Sequence, residues 1–351
     1  MRIAISVQKY NPEKDVKPRL VDYRLDVGRG ATVLDALIRI KNEIDGTLTF
    51  RHSCRSAICG SCAMDVNRTE KLACRTQIRN ELERHGEIRV RPLDNLPVIK
   101  DLVVDMGPFW DHIRALRPWV DPKPHDQVDP LALRDAHTLY DNADACILCG
   151  ACVAACNSYE VDRRFLGPAA LAKAYRVAVD PRSATLLERL QGLQGTGGIW
   201  DCVRCNYCVE VCPKDVKPME QIIKLRRASI DNGLTHTMGA AHITGFVEIV
   251  GHEGRLNEGL MPLKVVRRGG WRDLVRIIPL GIRMFLKGKA PLPFKPWAPF
   301  MGAHQIRALF QAVRQAKTDA AAKSPAPAVS STAGEAQSGA DAGRTSGGPT
   351  R

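Results

Sequence analysis

The twelve cysteines are the most constraining feature of this chain, because their spacing sorts them into three groups of four with none left over. The first group has the spacing C-x4-C-x2-C-x11-C and consists of Cys54, Cys59, Cys62 and Cys74. The other two groups share the spacing C-x2-C-x2-C-x3-C; they are Cys146, Cys149, Cys152 and Cys156, then Cys202, Cys205, Cys208 and Cys212. Any fold of this chain must gather sulfur atoms at several places.

The first group has the spacing of plant-type iron–sulfur loops, with three close cysteines and a distant fourth. Gly60 and the small residues around it allow the loop to wrap tightly around a metal. The spacing therefore predicts a [2Fe–2S] cluster held by Cys54, Cys59, Cys62 and Cys74. A structural zinc site also accepts four cysteines and stays open as an alternative.

The second and third groups have the spacing of bacterial two-cluster ferredoxins, in which the fourth cysteine of each run binds the cluster of the other run. Three ligands from one short loop cover one face of a cubane, and a distant segment supplies the fourth. The pattern thus predicts two [4Fe–4S] clusters, one on Cys146, Cys149, Cys152 and Cys212, the other on Cys156, Cys202, Cys205 and Cys208. Three clusters in one chain indicate a conductor of electrons.

The chain carries a formal net charge of +13, which suggests an acidic partner, an anionic membrane surface or nucleic acid. A zinc-stabilised nucleic-acid-binding module is the alternative from another class, but the cysteine spacing favours electron transfer and no nucleic-acid partner. The most apolar stretch, Leu274 to Leu286, is broken by Arg276, Pro279 and Arg283. We therefore expect no transmembrane segment. Without an export signal the cysteines are expected to stay reduced instead of forming disulfides.

The pattern of strands and helices predicts an α+β chain in four parts. Residues 1–105 read as a small domain with strands at 2–7, 23–27 and 87–90 and a helix at 32–43. Residues 106–235 read as a helical domain with cysteine-rich loops, whose helices 168–179 and 218–230 begin with proline. Residues 236–316 form a basic extension for membrane or partner docking, and residues 317–351 a disordered tail.

Four segments resemble the iron–sulfur subunits of succinate dehydrogenase and fumarate reductase: RxSCRxxICGSC at 51–62, RPLDNLPVIKDLVVDM at 91–106, FLGPAALAKAYR at 165–176 and CVEVCPK at 208–214. The resemblance implies a β-grasp [2Fe–2S] ferredoxin domain followed by an α-helical two-cluster domain. It also implies that the chain carries electrons between an FAD-containing catalytic subunit and a quinone site at the membrane. FAD is expected only on the partner, because the lone GTGG at 195–198 is too short to hold a dinucleotide.

The chain departs from this family at two places. The family usually lacks a cysteine at the position of Cys205 and holds a three-iron cluster there, so we expect a second [4Fe–4S] cluster in place of [3Fe–4S]. The family often has proline and paired tryptophans after the second run and a histidine in the third, where this chain has Asn157, Glu160, Val161 and Val203. These residues do not support a quinone pocket of the usual type.

The segment LGIRMFLKGKAPLPF at 280–294 is similar to small heterodisulfide-reductase subunits. The expected partners are a flavoprotein (FAD) subunit and either a membrane anchor or a cysteine-rich heterodisulfide-reductase-like subunit, with quinone reached indirectly. The chain is expected on the cytoplasmic face of the inner membrane, as a peripheral subunit of an oxidoreductase without a catalytic substrate site of its own. In the alternative, the same three clusters carry electrons for another flavoprotein dehydrogenase, which acts on glycolate, on glycerol phosphate or on fumarate coupled to thiols.

Overall fold

The computed structural model describes residues 1–269, 271–289 and 302–323. These residues fall into two compact units. One comprises Met1–Gly245 and Pro262–Ala290, and the other is formed by Phe246–Met261 and the described part of Pro291–Arg351. All twelve cysteines lie in the first unit, so the three groups belong to one compact body.

Five strands form the N-terminal sheet: β1 (Arg2–Lys9), β2 (Arg19–Asp26), β3 (Ala63–Val66), β4 (Thr69–Leu72) and β5 (Arg89–Arg91). They lie in the order β2-β1-β5-β3-β4. β1 is antiparallel to β2 and parallel to β5, a pairing that needs the long crossover between them. Alternate residues of β1, Ile3, Ile5 and Val7, are buried, because successive side chains of a strand point to opposite faces.

Helix α1 (Val33–Arg39) begins at a capping box, in which Thr32 and Asp35 each accept the other's backbone amide. It buries Leu34 and Leu37 in the core that the sheet supplies. The predicted helix at 32–43 is regular only as far as Arg39; residues Ile40–Ile44 widen into a π turn. A second helix, α2 (Ile78–His85), lies between β4 and β5.

The segment after β5 joins the sheet to the helical part. It forms the hairpin β6 (Val98–Lys100) and β7 (Val103–Val104), whose turn residue Asp101 is buried. The Asp101 carboxylate accepts the backbone amides of Tyr10 and Thr49, each at 2.9 Å, and pairs with Lys9. Leu93, Leu96 and Val104 belong instead to the core of the helices, so this segment fastens the two cores together.

Nine α-helices follow in the cysteine-rich part of the described chain: α3 (Gly107–Ala115), α4 (Pro130–Arg134), α5 (Ala136–Tyr140), α6 (Ala151–Ala154), α7 (Asn157–Val161), α8 (Gly167–Ala178), α9 (Leu186–Gly192), α10 (Tyr207–Glu210) and α11 (Pro218–Asp231). As the sequence predicts, α8 and α11 have proline in their first turn. The core of this part includes Leu171 and Tyr175 of α8 and Ile222 and Leu225 of α11.

The remaining helices are α12 (Met238–Glu253), α13 (Leu260–Gly269), α14 (Trp271–Leu286) and α15 (Ala303–Lys323). α15 continues through the first residues of the segment predicted to be a disordered tail, and residues 324–351 lie outside the described residues. Over the described ranges, no helix combines the length and the apolar character needed to cross a bilayer. The predicted fold class, a sheet domain followed by a helical cysteine-rich region, is confirmed.

Candidate metal centres

The first cysteine group lies on an exposed loop ahead of β3, with its fourth member just after β4. The backbone of this loop turns through the left-handed region three times, at Arg55 (φ 58°), Ala57 (φ 55°) and Gly60 (φ 75°). Left-handed residues curl the chain back on itself, so a short loop can surround a metal. We call Cys54, Cys59, Cys62 and Cys74 the first centre.

Backbone amides of this loop point at the sulfur atoms. The Cys54 Sγ accepts three amides at 3.3–3.4 Å, and the Cys74 Sγ accepts the Ala57 amide at 3.3 Å. Such donors stabilise negative charge on sulfur and favour the reduced state of a bound cluster. The donors to Cys54 are the amides of Ser56, Ile58 and Cys59.

One side of the first centre faces solvent and the other faces the protein interior. Cys54 and Cys59 are exposed, whereas Cys62 is buried. A hydrogen bond with the Ser61 hydroxyl, 2.9 Å away, is the main cause that lowers the pKa of Cys59 to about 6. Burial raises the pKa of Cys62 to about 12. A metal held here would meet solvent on the Cys59 side and the core of the sheet on the Cys62 side.

The second centre is a cavity lined by Cys146, Cys149, Cys152 and Cys212. The first three come from the loop and first turn around α6, and Cys212 comes from the segment after α10. Burial is the main cause that raises the pKa of Cys149 to about 11, and the charges of Cys146 and Cys212 add to it. Thiolates so placed need a cation among them to stay deprotonated.

The third centre gathers Cys156 with Cys202, Cys205 and Cys208. Burial raises the pKa of Cys208 to about 12, and the charges of Cys202, Cys156 and Cys205 act on it in the same direction. The pKa of Cys156 is raised by burial and by Cys202 and Cys205. The structure therefore brings Cys156 near the third run and Cys212 near the second; the cluster that each would bind stays a prediction.

The loops of the second and third centres repeat one backbone geometry. In the second run, the residues on either side of Cys149 are left-handed, Leu148 at φ 57° and Gly150 at φ 83°. In the third run, the residues on either side of Cys205 are left-handed too, Arg204 at φ 59° and Asn206 at φ 73°. A one-turn helix, α6 or α10, follows each loop. Cys205 thus occupies in its loop the place that Cys149 occupies in the other.

The loop of the first centre touches the loop of the second at Gly60. A β-carbon on Gly60 would lie 2.9 Å from the Cys149 Cβ and 3.1 Å from the Ile147 carbonyl oxygen. The Arg75 guanidinium also donates to the Pro213 carbonyl at 3.2 Å. Only glycine fits at this contact, so its small size lets the two loops approach.

Two polar side chains that sequence reasoning did not single out hold the third centre. The Asn95 amide donates to the carbonyls of Val153, Ala154 and Cys156 at 3.2, 2.8 and 3.2 Å. Its place in the segment 91–106 is the only signal in the sequence. Arg226 is buried and donates to the carbonyls of Ile199 and Cys202 at 2.8 and 2.7 Å. Its signal is a basic residue among the buried positions of α11.

Two glycines of the GTGG segment at 195–198 lie in close contact with the backbone of neighbouring segments. A β-carbon on Gly197 would lie 2.1 Å from the Arg164 carbonyl oxygen, and one on Gly198 would lie 2.1 Å from the Leu193 carbonyl oxygen. These glycines allow the chain to turn sharply just before Cys202. These close backbone contacts explain why glycine occupies both positions.

The sulfur spacing bears on the zinc alternative. In the part of the chain that the structure describes, no three His, Cys, Asp or Glu side chains lie close enough together to hold a single metal ion. A zinc ion needs four donors about 2.0–2.3 Å from one point, whereas the corners of a cluster hold their ligands further apart. Mononuclear zinc stays the alternative that a measurement of bound zinc and acid-labile sulfide would decide.

Comparison with known proteins agrees with this division. A family described as a 2Fe-2S iron-sulfur cluster binding domain matches residues 4–111, and one described as a 4Fe-4S dicluster domain matches residues 142–216. The chain is 39% identical over 231 residues to the fumarate reductase iron-sulfur subunit of Haemophilus influenzae, covering 62% of this chain and 89% of that protein. The chain belongs to the family of succinate dehydrogenase and fumarate reductase iron–sulfur subunits.

Other relatives support the same membership. The fumarate reductase iron-sulfur subunit of Escherichia coli is 38% identical over 222 residues, with 63% of this chain and 90% of that protein covered. The succinate dehydrogenase iron-sulfur subunit of Paracoccus denitrificans is 38% identical over 231 residues, with 64% and 87% covered. The predicted cofactor types, 2Fe–2S and 4Fe–4S, are confirmed by the two matched domains.

A solved structure shares the fold. A chain of the Mycobacterium smegmatis Sdh1 complex in the apo form aligns with a TM-score of 0.58 at 23% identity, covering 66% of this chain and 97% of that one. At this identity the likeness shows the fold alone. The two family matches end at residue 216, so they do not include α12–α15.

Proposed function

We propose that this chain passes electrons between an FAD-containing catalytic subunit and a quinone-reactive partner at the membrane, within a succinate:quinone oxidoreductase. The proposal rests on the adjacency of the three centres. Gly60 of the first centre's loop contacts Cys149 of the second. Cys152 and Cys156, assigned to the second and third centres, are separated by only three residues across the end of α6. Electrons could thus move stepwise without leaving the chain.

We also propose an assignment of ligands to clusters, which the same geometry supports. The first centre would hold a [2Fe–2S] cluster on Cys54, Cys59, Cys62 and Cys74, and the second a [4Fe–4S] cluster on Cys146, Cys149, Cys152 and Cys212. The third would hold a [4Fe–4S] cluster on Cys156, Cys202, Cys205 and Cys208. Bound clusters supply one-electron redox chemistry; the chain positions them and tunes their potentials through amide donors and burial.

The repeated loop geometry supports Cys205 as a ligand, and a pair of variants tests it. Anaerobically prepared wild type should contain about ten irons per chain and no three-iron signal in its oxidised electron paramagnetic resonance spectrum. Cys205→Ala should produce a three-iron signal, and Cys149→Ala should do the same at the second centre. Val203→Ala, an exposed residue of the same loop, is the matched control and should change neither iron content nor signal.

A strong three-iron signal in anaerobic wild type would show that Cys205 is not a ligand. The same conclusion follows if Cys205→Ala leaves the spectrum of the third centre unchanged. In either case electron transfer through the third centre would remain, so this test separates the type of cluster from the function.

The partners are proposed from family membership and from the C-terminal segment. Family membership supports a flavoprotein partner and association with a membrane anchor. The similarity of residues 280–294 to small heterodisulfide-reductase subunits favours a cysteine-rich anchor of that type on the cytoplasmic face of the inner membrane; residues 290–294 lie outside the described residues. The boundaries at 105, 235 and 316 stay predictions.

Purification of the native complex tests the catalytic assignment. The chain should co-purify with a flavin-containing subunit, and the complex should reduce an artificial dye with succinate as donor. A complex without flavin, or one that reduces the dye with glycolate or glycerol phosphate but not with succinate, would reject the succinate assignment. The second outcome would keep the electron conductor and change its dehydrogenase.

A further inference from the structure

Helix α14 presents an apolar face that the described residues do not cover. Val275, Ile278, Ile282 and Phe285 follow one another at intervals of three and four residues, which places them on one side of the helix. Each is at least half exposed. Leu286, at the end of the helix, is more exposed still. Four large side chains left in water along one face cost free energy unless something else covers them.

A basic stripe runs beside this face. Arg276, Arg283 and Lys287 follow at intervals of seven and four residues, so they share another side of the helix. All three are exposed, as is Lys289 just beyond them. From Leu260 to Lys317 the chain has twelve Lys and Arg residues and one acidic residue, Asp273. The surroundings of α14 in the sequence are therefore strongly positive.

These charges restrict what can cover the face. A second copy of α14 would bring like charges together, which is unfavourable. The segment 324–351 has a single large apolar residue, Val329, so its sequence offers little apolar surface to match this face. A helix with one apolar face and a Lys/Arg-rich polar side is the form that lies flat in an anionic lipid interface.

We propose that α14 lies in the surface of an anionic membrane, with Val275, Ile278, Ile282 and Phe285 among the acyl chains and its basic stripe at the lipid phosphates. The inference deepens the proposed function, because it gives this chain a direct lipid contact beside its docking to an anchor subunit. The occupant is the bilayer itself and not an acidic protein surface.

Vesicle binding of the intact, cluster-loaded chain tests this contact. Wild type should co-sediment with vesicles of phosphatidylcholine and phosphatidylglycerol and not with vesicles of phosphatidylcholine alone. Arg283→Gln with Lys287→Gln should weaken binding roughly thirtyfold, since each basic residue near such a surface contributes a factor of about five. Ile282→Ser with Phe285→Ser should weaken it by more than about tenfold, since the apolar side chains no longer enter the lipid.

The matched control is Lys17→Gln with Arg29→Gln, which makes the same change in net charge at exposed positions of the sheet domain. It should bind nearly as wild type does. Absence of wild-type binding, equal binding to both vesicle types, a loss in the control as large as in the α14 charge variant, or full binding by the serine variant would each overturn the proposal. Iron content and dye reduction by the soluble complex are measured in parallel, so failure of the electron-transfer function would be seen separately.

Discussion

Gly60 offers a sharp test of how the first two centres meet. Replacing it with alanine places a β-carbon 2.9 Å from the Cys149 Cβ and 3.1 Å from both the Cys149 Cα and the Ile147 carbonyl oxygen. Two of these three atoms are backbone, so the contact cannot be relieved by turning a flexible side chain. The two loops must move apart, or the loop of the first centre must distort.

Gly86 is a matched control for this substitution. It has nearly the same conformation, φ 72° against 75° for Gly60, but nothing lies within 4 Å of the position that its β-carbon would take. Alanine at either site costs roughly 1–2 kcal/mol for the left-handed backbone. Overpacking should add about 1–3 kcal/mol at Gly60 alone. The difference between the two variants therefore isolates the contact between the loops.

Two measurements follow this difference. At one fixed heating rate, Gly86→Ala should lower the midpoint of thermal inactivation by a few degrees, about 2–4 °C per kcal/mol, and Gly60→Ala should lower it about twice as far. In the reduced protein, magnetic coupling between the first and second clusters should weaken in Gly60→Ala and stay unchanged in Gly86→Ala. Equal midpoints and equal coupling in the two variants would refute the reasoning.

Two further substitutions test polar groups that hold the helical part. Asn95→Asp removes the donor to three carbonyls near Cys156, so the third centre should lose iron to a chelator faster than in wild type, while the first centre should not. Asp180→Asn should lower stability by roughly 3 kcal/mol, since the buried carboxylate pairs with two arginines. Hydrogen bonds from Arg182 hold the pKa of the Asp180 carboxyl well below its usual range. The ionised carboxylate therefore contributes its full stabilisation of the folded state at any pH above the pKa of an aspartate in the unfolded chain. This contribution is lost only as the pH falls below about 4. The loss in free energy of unfolding caused by Asp180→Asn should therefore be the same at every pH from about 6 to 8. The exposed variant Asp144→Asn is the control. A loss that changes across this range would contradict the role of Asp180 as an ionised partner of the two arginines.

Secondary structure could be predicted where one local signal was strong. Strand β1 and helices α8 and α11 follow from alternation and from proline in a first turn. Strands β3 and β4 have only four residues each and α2 has only eight, which is too short for periodicity alone to identify them. In the sheet, β3 pairs with β5, which lies beyond α2 in the sequence, and β4 pairs with β3.

By itself, the sequence determined which side chains can hold clusters and in what local groups, because three ligands within nine residues depend only on short loops. It also indicated the family, through segments that surround those loops. Only the tertiary structure showed that Gly60 contacts Cys149 and that the Asn95 amide donates hydrogen bonds to carbonyls around Cys156. It also showed that the apolar side of α14 is exposed. The two contacts join residues that are distant in sequence. They therefore form only when the sheet core and the helical core have packed and the segment after β5 has joined them.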